Sequence, residues 1–182
     1  VFFSVRAAKP IYNHEFVIEA FSGFVEQSDA DSYLLLSTMN GSSKYINSLK
    51  KVAEQHLVRD RVVFLDVIEN KQMPVYYNFV DAVISVPSSD GMPQSLYESM
   101  ACGCFHILGD LAQYHELVTD KVEGLYVSLG DVVSLTNALL WVAENRNGLK
   151  SKAAETRETV IKLADKKQQI VNINSMYEKH LF

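Results

Sequence analysis

Cysteine is scarce in this sequence. Only Cys102 and Cys104 occur among 182 residues, one position apart, so there is none of the disulfide framework that staples small secreted domains. No apolar run approaches the roughly 18 residues of a membrane span, and the opening VFFSVRAAKP lacks the charged, apolar and small-residue order of a signal peptide. These absences predict a cytoplasmic chain with no transmembrane segment. Basic charge is not in excess either: 17 Lys and Arg stand against 22 Asp and Glu, a net charge of −5, which disfavours a nucleic-acid partner. Any anion site must be local. P-loop, zinc-protease and nucleophile-elbow motifs are absent, and no G-x-G-x-x-G follows the first strand-like run, which weakens the case for an NAD-binding domain. Repeats, low-complexity tracts and Pro/Gly linkers are missing too, so a single domain is expected.

What the sequence does contain is ordinary globular composition, with 48% apolar and 21% charged residues. Short β-branched and aromatic runs alternate with segments of helical period, which predicts a parallel sheet covered by helices. The strand candidates are 1–6, 32–37, 61–67, 81–87, 105–109 and 124–128, most of them nearly continuous in apolar residues, as strands buried on both faces should be. Helices are expected over 13–27, with Asn13 as N-cap, over 43–57, over 71–79, from Pro93 onward, and around Leu135–Ala143. The fold class is therefore α/β: a doubly wound, Rossmann-like six-stranded parallel sheet spanning 1–148. A polar helical extension is expected over 149–182, its apolar stripe limited to Ala154, Val160, Ile161, Ala164 and Ile170. The missing initial Met and the abrupt opening into a strand suggest that a further N-terminal region exists.

In a sheet of order 3-2-1-4-5-6 the default ligand crevice lies at the carboxyl ends of strands 1 and 4, where the order reverses. That rule selects two loops, Arg6–Asn13 and Ser88–Pro93. The first carries the cations Arg6 and Lys9. In the second, Gly91 permits backbone conformations closed to other residues, and Pro93 suits the first turn of a helix whose free amides favour an anion. Glu98, about a turn and a half into that helix, leans back toward the same crevice and suits a vicinal diol.

Asp90, seven intervening residues and Glu98, followed by Ser99-Met100-Ala101-Cys102-Gly103, resemble the signature of the retaining glycosyltransferase family 4, of GT-B fold. The resemblance runs along nearly the whole chain, through the strand ending in Arg6, the RVVFLDVIEN segment and VTDKVEGLYV. It implies a donor-binding domain that moves a sugar from a nucleotide sugar to a glycan or glycolipid acceptor, with an N-terminal acceptor domain as partner and peripheral membrane association through that partner. Within that resemblance Glu98 is expected to bind the ribose hydroxyls and Asp90 the donor sugar, the two acids being the catalytic pair. The amides of Gly91 and Met92, ahead of Pro93, would face sugar and diphosphate, and Arg6 would bind the diphosphate. No cofactor or metal is implied beyond the donor. The sequence departs from the family at two places: the first acid is Asp, one methylene shorter than the commoner Glu, and the family's lysine position falls on Tyr12, with Lys9 nearby as a replacement. Alternatives from the same residues are a sugar-nucleotide epimerase and a non-catalytic nucleotide-binding or regulatory module. Cys102, Cys104 and His106 alternate like metal ligands, but Cys102 falls at a helix end and no fourth ligand is evident.

Overall fold

The computed structural model describes residues 1–181, so Phe182, the last residue of the predicted extension, lies outside the described residues. Six short strands, β1 (Phe2–Ser4), β2 (Leu34–Ser37), β3 (Val62–Leu65), β4 (Ala82–Ser85), β5 (Phe105–Gly109) and β6 (Gly124–Val127), form one all-parallel sheet of order β3-β2-β1-β4-β5-β6. This is the doubly wound arrangement expected from the alternation of buried strands and helices. The strands are shorter than their apolar runs because the flanking apolar residues turn into the connecting loops.

Strand alternation divides the core between the two faces of the sheet. Phe2, Leu34, Leu36, Ala82 and Ile84 point to one face, where α1 (His14–Gln27), α2 (Ser43–Gln55) and α5 (Val132–Ser151) cover them. Phe3, Leu35 and Val83 point to the other, under α3 (Met73–Phe79). The α1 stripe of Val17, Ile18, Ala20, Phe21 and Phe24 is fully buried, and Phe2 meets Phe24 edge-on at 5.3 Å between ring centroids. A third cluster joins α4 (Gln94–Ala101) to a 3-10 turn at Ala112–Glu116 and to α6 (Ala153–Ala164) through Leu96, Met100, Tyr114 and Val160.

The C-terminal region is helical, as expected, in three segments. The helix α5 runs past Gly148 to Ser151, and its Leu149 reaches the main core. The helix α6 then packs on α4, and Arg157 donates to the Ala101 carbonyl at 2.8 Å. Only α7 (Lys166–Leu181) fits the description of a thinly apolar tail, with Ile170, Ile173 and Tyr177 all exposed. None of the described helices is long and apolar enough to cross a membrane.

Candidate functional site

The carboxyl ends of β1 and β4 open into a cleft of about 420 Å³. Arg6, Lys9 and Tyr12 line it from the loop after β1, and Pro93, Gln94, Ser95 and Glu98 from the start of α4. Met39, Asn40, Ile68, Asn70, Met73 and Tyr77 close the remaining wall. Two loops distant in sequence therefore meet where the strand order reverses.

The loop carrying Arg6 is fixed from beneath by His14. This imidazole is completely buried; Nε2 donates to the Ala7 carbonyl at 2.8 Å, and Nδ1 lies 3.1 Å from the Ser4 hydroxyl. Burial lowers its pKa, so it remains a neutral strut. Asn13 does not cap α1 with its side chain as expected. Its backbone is left-handed, with φ of 53°, and its amide donates instead to the Val86 carbonyl at 2.8 Å, tying the two loops together.

Arg6 reaches the cleft with three neighbours. One Nη lies 2.9 Å from an Asp90 carboxylate oxygen, the other donates to Ser95 Oγ at 3.3 Å, and the guanidinium sits over the Tyr12 ring at 4.5 Å. Tyr12, at the position expected to hold lysine, thus supports the arginine as a platform, and Lys9 joins it on the cleft wall.

Glu98 is exposed on the first turns of α4 and faces the cleft. Behind it Tyr77 is buried and its hydroxyl has no partner among the described residues; burial first, and the Glu98 charge second, raise its pKa. Pro93 is the N-cap residue rather than the first helical one, since its ψ of 138° is extended, and its side chain makes no capping hydrogen bond. The Leu96 amide donates to the Pro93 carbonyl at 3.0 Å, and Gln94 and Ser95 place the start of α4 on the cleft wall.

Asp90, Gly91 and Met92 stand apart from this lining. The Gly91 amide donates to the Asp90 side chain at 3.0 Å, and Met92 packs against the Leu96–Met100–Tyr114 cluster. The expected need for glycine is not met at Gly91: its φ is outside the left-handed region, and a Cβ there would meet open space. Sequence reasoning also missed Tyr114, whose buried hydroxyl donates to Asp90 at 2.9 Å; no spacing rule links residues 24 positions apart. The Cys102, Cys104 and His106 series dissolves into separate packing roles. The Cys104 thiol donates to the Tyr77 carbonyl, and His106, its pKa pushed down by burial to about 4, is held between Ser99 Oγ at 2.7 Å and the Glu123 carbonyl at 3.2 Å.

Comparison with known proteins gives a family and agrees with the fold. Residues 1–167 match the family described as "Glycosyl transferases group 1". Over 112 residues the chain is 27% identical to the alpha-monoglucosyldiacylglycerol synthase of Streptococcus pneumoniae, covering 62% of this chain and 24% of that protein. Among solved structures it superposes on Anabaena Alr3699/HepE in complex with UDP with a TM-score of 0.82 at 18% identity, over 96% of this chain and 48% of that one. The same Anabaena protein is also solved with UDP-glucose. The C-terminal domain of the glycosyl transferase group 1 protein LpcC from Francisella tularensis superposes with a TM-score of 0.75 at 16% identity, covering 91% of this chain and 85% of that domain. The chain thus spans about half the length of the Anabaena protein, and its matched stretch about a quarter of the Streptococcus enzyme.

Proposed function

The chain belongs to the glycosyl transferases group 1 family, and from that premise we propose that it is the donor-binding half of a retaining glycosyltransferase, taking a nucleotide sugar and transferring its hexosyl group to a glycan or glycolipid acceptor. The observation that carries this is the meeting of Arg6 and Glu98 in one cleft at the reversal of strand order. Glu98 offers a carboxylate that accepts from two adjacent ribose hydroxyls. Arg6 and Lys9, with the N-terminus of α4 beside them, suit a diphosphate and stabilise the charge that gathers on it as the bond to the anomeric carbon breaks. The UDP complexes of the Anabaena protein favour uracil as the first base to try, and the diacylglycerol in the Streptococcus relative's name favours a lipid-linked acceptor.

Acceptor contacts belong to a half outside this chain, in keeping with the 48% of the Anabaena protein that it spans. The exposed Ile170, Ile173 and Tyr177 of α7 suit packing against that half. Transfer needs both substrates held within reacting distance, so this chain by itself should bind donor without turning it over. Calorimetric titration with UDP, GDP, ADP and their glucose conjugates tests the reading. Uptake of one nucleoside diphosphate and its sugar is the expected result, and uptake of none contradicts it.

A further inference from the structure

Asp90 matches the first acid of the family signature, yet every oxygen it has is already engaged. Oδ2 accepts from Arg6 Nη2 at 2.9 Å and from the Tyr114 hydroxyl at 2.9 Å. Oδ1 accepts from the Gly91 amide at 3.0 Å, and the backbone carbonyl accepts from Gln113 Nε2 at 2.6 Å. The Arg6 and Asp90 side chains are only 12% and 13% exposed, and Tyr114 is completely buried. Arg6 lines the cleft; Asp90 does not.

From this geometry we infer that Asp90 and Tyr114 are positioning residues: they hold the Arg6 guanidinium at the cleft wall, and Asp90 acts on the donor through Arg6 instead of touching its sugar. The inference rests on the donor-site reading and deepens it. The clamp draws on the loops after β1, β4 and β5, three adjacent strands, so the sheet itself sets its spacing. Burial keeps the Tyr114 phenol protonated and therefore a donor, so its hydrogen bond orients a carboxylate that would otherwise be free to rotate. Asp90 and Ser95 occupy one N–H of each terminal nitrogen, and the Tyr12 ring covers one face of the guanidinium. A guanidinium has five N–H donors, so enough remain for a diphosphate. An arginine already ordered in this way loses less freedom when the ligand arrives.

The sign of the effect on binding separates three roles for Asp90. As a mere charge, its removal would make the cleft more positive and tighten UDP. As a sugar contact, its loss would weaken UDP-glucose and spare UDP. As a clamp, its loss should weaken both ligands equally, and only while Arg6 is present. The experiment is calorimetry of UDP and UDP-glucose on the whole chain and on Asp90→Ala, Asp90→Asn, Tyr114→Phe, Arg6→Ala and the Arg6→Ala/Asp90→Ala pair. Asp90→Ala should weaken both ligands by the same factor, about threefold to tenfold. Asp90→Asn and Tyr114→Phe should lie between it and the parent, Tyr114→Phe also serving should Asp90→Ala fail to fold. In the Arg6→Ala background the Asp90 change should add nothing. Weakening confined to UDP-glucose, tighter binding of both ligands, or an undiminished effect without Arg6 would each overturn the clamp. In the free chain the Arg6 Nε–Hε resonance should be sharp and dispersed and should collapse in Asp90→Ala. If that signal behaves so while the parent takes up neither UDP nor UDP-glucose, it is the donor-site reading that has failed, and the role of the clamp in donor binding falls with it.

Discussion

Two acids flank the same strand, and each pairs with an arginine. Asp81 directly precedes β4 and accepts from Arg146 Nε, with Lys150 Nζ 4.0 Å away. Asp90 follows the other end of β4 and holds Arg6. The first arginine is 54% exposed and the second 12%. At the amino end of the sheet the pair is a surface staple between α5 and the start of β4. At the carboxyl end the guanidinium is enclosed by a carboxylate, a hydroxyl and an aromatic ring, and what remains of it faces a cleft. Identical chemistry thus does two jobs, and the surroundings decide which: free loops at carboxyl strand ends can converge on a ligand, whereas α5 leaves Arg146 beside solvent.

The contrast depends on an intact sheet between the two ends, so the largest effect should come from breaking the core they share. Phe21→Ala removes a fully buried ring from α1 and should cost about 3 to 5 kcal/mol by urea unfolding, with both ends lost in one transition. The next effect separates the ends. Arg6→Ala should weaken UDP and UDP-glucose by about tenfold to a hundredfold, roughly 1.5 to 3 kcal/mol, and leave uridine unchanged, whereas Arg146→Ala should alter none of the three in calorimetry.

Acid should then erode stability without distinguishing the ends. His106 lies on β5, and its folded pKa of about 4 is below the ordinary histidine value of 6.5. The unfolded chain therefore binds the extra proton between these values, and stability falls as pH drops through that window. Burial lowers His14 in the same direction. The His106 share between pH 7 and pH 5 should be about 1 to 2 kcal/mol, read as a smaller acid-induced loss in His106→Gln than in the parent, each measured by urea unfolding at both pH values. The smallest effect belongs to the amino-end pair. Arg146→Ala should cost only about 0.2 to 1 kcal/mol and shrink further in high salt, because the arginine is largely solvated.

Much of this architecture was legible in the sequence because strands buried on both faces betray themselves as apolar runs, and their alternation with helices points to a parallel sheet. The placement of Arg6 and Glu98 was legible for a related reason: one lies in the loop after the first strand and the other in the helix after the fourth, and the topology brings both to the crevice. What could not be read depends on side-chain packing. Nothing in the spacing of Asp90, Tyr114 and Tyr12 says that Asp90 and Tyr12 meet on one guanidinium with Tyr114 holding Asp90. The polar stretch Glu144–Gly148 likewise hid the continuation of α5, since a single buried residue, Leu149, holds the helix past it.

The most direct measurement of the donor site is the affinity of Glu98→Ala for a bare nucleoside and for its diphosphate. Because the ribose is common to both, uridine and UDP should each bind about tenfold to a hundredfold more weakly than to the parent, with thermal unfolding unchanged. If Glu98→Ala takes up UDP as tightly as the parent, Glu98 does not hold the ribose, and the cleft is not the donor site described above.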